Sequence, residues 1–239
     1  MQKRLALIDG ILTMFLVAIF MIMSSFFKDA FYFPLFFEIV SFLLPSLIVV
    51  TYRNSLRQVF GNFFPSRKTL IKSILFLISA SALGFSIGTI LDKIFDFSEI
   101  SQEMAKEIFR FNLFFQILIF TIIPPIAEEI LFRGVLLRAF QSFKKIVNFL
   151  LVSILFTLFH TSLELFIPIL ILSFAITAIG FQKGGLLCAI FCHFLHNLIT
   201  LIMFHFLDYD LSFIPILIIG VVALPFYIFF LNGALRDEF

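Results

Sequence analysis

Two adjacent acids and an arginine, Glu128, Glu129 and Arg133, stand in a stretch that is otherwise hydrocarbon, with Pro124 and Pro125 just ahead of them. A charged side chain at bilayer depth is costly, so intramembrane acids face a cavity, pair with a base, or do work. On a helix Glu129 and Arg133 are four apart and share a face, in the favourable acid-first order. Glu128 points about 100° away and has no partner at that spacing. One acid is tethered and the other is free. The double proline breaks or kinks the helix, which membranes tolerate where protein or water satisfies the released backbone groups.

Further along the chain come Phe156-x-x-x-His160 and His193-x-x-x-Asn197. Taking one interface near residues 141, 146 and 185, a rise of about 1.5 Å per residue puts Glu128 and His160 roughly 20 Å from it, Asn197 roughly 18 Å and His193 roughly 12 Å. Four polar side chains from three helices therefore fall in one slab near mid-membrane. Taken singly, Glu129–Arg133 reads as a structural pair, His160 as a packing residue and His193–Asn197 as interhelical glue. Together they point to one site. The chemistry suggested is hydrolysis, with a carboxylate sheltered from bulk water as general base toward a water and a neighbouring His as proton shuttle. A second His and an Asn amide are suitable donors to a tetrahedral oxyanion. The same Glu128, His160 and His193 could instead hold zinc, since two His and one carboxylate with an open position is a known catalytic set. Cys188, Cys192, His193 and His196 are set aside as a soft-metal cluster because Cys192 and His193 diverge on a helix. Glu38, Gln116 and His205 are expected toward the outer side as accessory residues, and Glu164 as a loop charge.

The elements that must position these groups are membrane spans. Of 239 residues 62% are hydrophobic and 13% charged, and the mean hydropathy is +1.14, which excludes an ordinary soluble domain. The expected fold is all-α, a polytopic membrane protein of about eight transmembrane helices with a polar cavity near mid-membrane. The apolar runs end near Phe27 and then cover 31–51, 70–91, 111–140, 146–160, 163–179, 186–206 and 213–231, the fifth and sixth being short for a bilayer. The first run is too long for a signal peptide and lacks a small-residue cleavage site. Small residues between Ser79 and Gly88 suit the third span to close packing. Residues 92–110 are acidic on balance, with charges at helical spacing that suit a short interfacial helix. Basic residues collect at the N-terminus, 52–69, 138–146, 180–185 and the C-terminus, so the positive-inside rule places both ends in the cytoplasm. The chain reads as a single integral membrane domain, 1–239. Cys188 and Cys192 read as buried small hydrophobes. No basic patch or glycine loop suggests nucleic acid.

The run Glu128-Glu129-x-x-x-Arg133, with Phe156-x-x-x-His160 and His193-x-x-x-Asn197 following in order, resembles the CPBP family of intramembrane proteases. That family includes CAAX prenyl proteases of the Rce-one type and bacteriocin-immunity (Abi) proteins. The likeness covers about residues 112–205, and the first three spans share only hydrophobicity. The resemblance implies eight helices around a cavity open to the cytoplasmic side and the lipid. It makes Glu128 the catalytic glutamate and His160 its proton-transfer partner. His193 and Asn197 would stabilise the oxyanion, with Glu129, Arg133 and Phe156 in support. No cofactor is expected, with zinc as the alternative. The function expected is cleavage of a peptide bond in a membrane-embedded or lipidated substrate, in a multi-pass protein of a bacterial plasma membrane. A non-catalytic scaffold or bacteriocin-immunity protein is the second reading. A small transporter is the third, disfavoured because the two halves carry no matching pair of broken spans.

Overall fold

The computed structural model describes residues 5–28, 33–60, 64–97, 106, 108–160, 165–206 and 213–236. Its described elements are helical throughout: α1 (Leu7–Ser25), α2 (Phe33–Tyr52), α3 (Leu56–Phe60), α4 (Arg67–Phe95), α5 (Leu113–Ser142), α6 (Lys145–Phe159), α7 (Phe166–Gly180), α8 (Gly185–Phe206) and α9 (Phe213–Leu235). Six of these are long and apolar enough to cross a membrane, and α6 and α7 are shorter apolar helices. The chain is a polytopic integral membrane protein, and the eight expected runs correspond to α1, α2 and α4–α9. The short α3 was not foreseen. Asp29, Glu99, Glu103, Glu107, Glu164, Asp208 and Asp210 lie outside the described residues, as do Lys3, Arg4 and the last three residues. The short interfacial helix expected within 92–110 falls largely outside the described residues.

In α1 the small and polar residues face inward and large apolar ones face outward, the reverse of a water-soluble helix. In α1, Asp9, Gly10, Thr13, Val17 and Ser24 are buried while Ile8, Ile11, Phe15 and Ile22 are exposed. The small residues of α4 do what their size allows. Gly84 and Gly88 lie against Pro168 of α7, and Ser86 Oγ donates to the carbonyl of Ile216 at 2.6 Å, with Gly220 of α9 pressed on the same serine.

The central element is α5. The α1–α2 pair and α3 pack on one side of it, and α6 and α8 on the other; α4, α7 and α9 form a second layer behind α6 and α8. One apolar cluster joins α1, α2, α5 and α6 around Phe132 and Phe156, and another joins α4, α7, α8 and α9 around Phe76 and Ile176. The acidic motif therefore sits where the two layers meet. At the basic end, Asp9 caps α1 by accepting from Ala6 N–H and pairs with Arg53 at the end of α2.

The backbone of α5 is not a uniform α-helix. It widens into π turns over Ile117–Ile122 and Ile130–Leu136, flanking the α-helical Ile123–Glu129 that holds both prolines. A third π turn, Ile39–Leu43, lies in α2. Such bulges recur at functional sites.

Candidate active site

The cost of burying Arg133 and Glu129 together decides the local arrangement. Both are fully buried, where unpartnered polar atoms are costly, and all but Arg133 Nε and Glu129 Oε2 find partners. Arg133 Nη1 donates to Glu129 Oε1 at 2.9 Å. Its Nη2 reaches across to α7, donating to the Ser173 carbonyl at 3.2 Å, Ser173 Oγ at 3.1 Å and Thr177 Oγ1 at 3.0 Å. The guanidinium also lies over the Phe156 ring, 4.4 Å from its centroid. The close approach of α7 needs Gly180, where a Cβ would come within 2.8 Å of Arg133 Cγ. The i,i+4 pair expected from spacing is present, and it doubles as the clamp between α5 and α7.

Glu129 Oε1 accepts a second bond, from Nδ1 of His193 on α8, at 2.8 Å. A carboxylate can only accept, so Nδ1 carries the hydrogen and Nε2 is the outward nitrogen. That Nε2 lies 4.0 Å from Glu128 Oε2. His160, at the C-terminal end of α6, is oriented in the same way: its Nδ1 donates to the Phe156 carbonyl at 2.9 Å, and Nε2 lies 3.9 Å from the same Glu128 oxygen. The ring of Phe156 separates the two imidazoles, 4.5 Å from His160 and 5.7 Å from His193. Glu128 Oε2 is buried and makes no hydrogen bond. Glu128, His160 and His193 thus converge from three helices on one point, with spacings too long for direct hydrogen bonds and suited to a small group between them.

Asn197 is placed differently. Its amide Nδ2 donates to the Phe120 carbonyl at 3.0 Å, one helical turn beyond His193. The partner follows from the sequence: Pro124 and Pro125 lack the N–H groups that an α or a π ladder would bring to that carbonyl. His193 and Asn197 share a helix face as expected, yet their side chains go to different partners. Replacing Asn197 by Leu is expected to leave the carbonyl orphaned and lower stability by about 1–3 kcal/mol, read as a fall in unfolding temperature in detergent.

Two expectations about neighbouring residues divide. Gln116 and His205 pair with each other, at 2.6 Å, away from the cluster. Glu38 lies on a helix segment that packs against the acidic motif. It closes the first helical turns of α2, which pack on the Ile123–Glu129 segment. Its Oε2 is buried with no partner. The N-terminal half therefore brings an acid-bearing segment against the one that carries Glu128, which the motifs alone did not reveal; the signal was an acid inside an apolar run. His196 faces the other way, bonded to Ser81 Oγ at 2.9 Å and stacked on Phe85 of α4. Cys188 and Cys192 are free and buried, as read from their apolar setting.

The zinc alternative can be tested on donor spacing. Ligands about 2.0–2.1 Å from a tetrahedral zinc sit roughly 3.3 Å from one another. The two histidine nitrogens stand 3.9 and 4.0 Å from the Glu128 oxygen. Among the described residues no three His, Cys, Asp or Glu are grouped closely enough to hold a metal ion. The donors as arranged do not fit, and no step below passes through a metal.

One family comparison matches the segment that carries this cluster. Residues 110–199, which contain all three motifs, match the family model described as type II CAAX prenyl endopeptidase, Rce1-like. This segment is Rce1-like. No curated protein and no solved structure matches the chain. The Rce1-like segment runs from the start of α5 into α8, so it takes in every side chain of the cluster except Glu38. At the level of the family it supports a CAAX-type intramembrane protease, and the resemblance read from the motifs is borne out.

Proposed function

We propose that the chain is an endopeptidase that hydrolyses a peptide bond in a membrane-embedded or lipidated substrate, with Glu128 activating water. The observation that carries this reading is the unpartnered, buried Glu128 oxygen facing two imidazole nitrogens at 3.9 and 4.0 Å. A buried carboxylate oxygen without a protein partner calls for a water or a substrate group there.

In the reaction, Glu128 accepts a proton from a water held between its Oε2 and His160 Nε2. The resulting hydroxide adds to the scissile carbonyl carbon. The proton then passes to the amide nitrogen, by way of His160, as the C–N bond breaks, giving a carboxylic acid and an amine that exchange a proton to leave as carboxylate and ammonium. His160 is pre-oriented because the Phe156 carbonyl holds its Nδ1–H. His193, when protonated, presents an Nε2–H to the oxyanion, and Glu129 balances that charge through Nδ1. The second N–H of Asn197 is the one left for the same oxygen. Arg133 holds Glu129, and Phe156 keeps the imidazoles apart.

The remaining assignments belong to the same proposal. The chain, 1–239, acts as one membrane domain whose catalytic part is about 112–205. Arg53, Arg57, Arg67, Lys68, Arg138, Lys144, Lys145 and Lys183 gather at one end of the bundle. By the positive-inside rule that end, with both termini, faces the cytoplasm of a bacterial cell.

Incubating purified, detergent-solubilised protein with a library of membrane peptides tests the function. The expected result is discrete fragments by mass spectrometry, unchanged by a strong chelator. Loss of all cleavage under chelator would overturn the glutamate–water mechanism, and no cleavage across the library, with the native fold retained, would favour the scaffold reading.

A further inference from the structure

A polar cavity opens at the basic end of the bundle, away from the acidic cluster. It has a volume of about 460 Å³ and is bordered by Arg138, Lys183, Gln58 and Gln182 above a floor that includes Val59 and Leu186. Arg138 belongs to the last turns of α5, and Lys183 to the turn between α7 and α8.

The arrangement of cations at this end is selective. Among the described residues, the other buried or half-buried basic side chains are engaged. Arg53 pairs with Asp9, Arg133 with Glu129, and Lys145 donates to the Leu235 carbonyl at 2.7 Å, while Lys72 also has a partner. Arg138 is half-buried and Lys183 exposed, both border the cavity, and neither has a bonded partner among the described residues. Removing a guanidinium from water without an anion is unfavourable. The two amides are each half used: Gln58 Oε1 accepts from Leu5 N–H at 2.7 Å, and Gln182 Nε2 donates to the Ala234 carbonyl at 3.0 Å. Gln58 retains its N–H donors beside the two cations. A half-buried guanidinium, an ammonium and an amide donor around one cavity make a receptor for a phosphate oxygen set.

We propose that this cavity binds the phosphate headgroup of an anionic phospholipid. It lies where α5 ends and α7 turns into α8, and basic pockets at the ends of spans are suited to such headgroups. The hydrolytic reading is not required: a protein that cleaves nothing would still bind lipid here.

The test titrates purified protein in a neutral detergent with phosphatidylglycerol, phosphatidylcholine, diacylglycerol and inorganic phosphate, reading saturable binding by native mass spectrometry and unfolding temperature. Wild type is expected to prefer phosphatidylglycerol at least tenfold over both other lipids. Arg138→Gln and Lys183→Gln should each weaken that binding about fivefold. Arg57→Gln, a change at an exposed cation of the same end that does not border the cavity, should leave it unchanged. Lys183 is exposed, so its variant decides the matter if Arg138→Gln does not fold. Equal binding of all three lipids, or equal loss in Arg57→Gln, would overturn the site in favour of diffuse charge attraction. Inorganic phosphate binding as tightly as the lipid would overturn the lipid assignment.

Discussion

Glu128→Gln should abolish peptide hydrolysis, with a loss of about 10³-fold or more, while the protein remains folded. The two halves of that expectation have different causes. The amide keeps the shape of the carboxyl group but cannot take a proton from water, and positioned general bases contribute about 10²–10⁴-fold. Stability should hold or rise, because the change removes a buried charge whose Oε2 has no hydrogen-bond partner and which therefore costs more than it contributes. Equal unfolding temperatures for wild type and variant, beside an activity ratio of that size, are the paired readings. A scaffold that keeps the polar cluster for folding would tolerate the substitution in every cellular assay.

Arg133→Met acts through the other branch of the same cluster. Arg133 is fully buried, and its Nη1 and Nη2 satisfy Glu129 on α5 together with Ser173 and Thr177 on α7. Removing it leaves Glu129 buried and short of its cation, and breaking one partner of a buried pair typically costs about 3–5 kcal/mol. The unfolding temperature should fall steeply. Glu129→Gln combined with Arg133→Met should recover part of the loss, since neither buried charge then remains. Activity should stay low in the double variant, because the Glu129 carboxylate also fixes the His193 tautomer. Additive destabilisation by the two changes would contradict the view that they form one unit.

The legible part of the fold was that set by hydropathy and local spacing. Runs of apolar residues located the six long helices and the two shorter apolar ones because lipid demands internally satisfied backbone. The four-residue spacing of Glu129 and Arg133 forecast their contact, since that pairing is local. Counting rise along the helices brought Glu128 and His160 to one level, in keeping with their 3.9 Å separation. What stayed hidden depends on which helices touch. The carboxylate of Glu38 was assigned to the outer side because depth along one span does not say which neighbour it meets or how either is tilted. The bond from His193 Nδ1 to Glu129, which turns Nε2 toward Glu128, was not foreseen, because it is set by the packing of α8 on α5. The partner of Asn197 was open to inference, since two prolines in succession leave a carbonyl about four residues upstream without a donor. The π turns in α5 had no sequence mark beyond those prolines.

The central claim is that Glu128 and His160 act as one unit on a water. A double-substitution cycle on the hydrolysis rate tests it most directly, using Glu128→Gln, His160→Gln and the pair in the same detergent preparation. Groups that act together lose nearly everything at the first substitution. The account predicts that each single variant is as inactive as the double. Losses that multiply, or a Glu128→Gln variant that still cleaves at more than about a tenth of the wild-type rate, would contradict it.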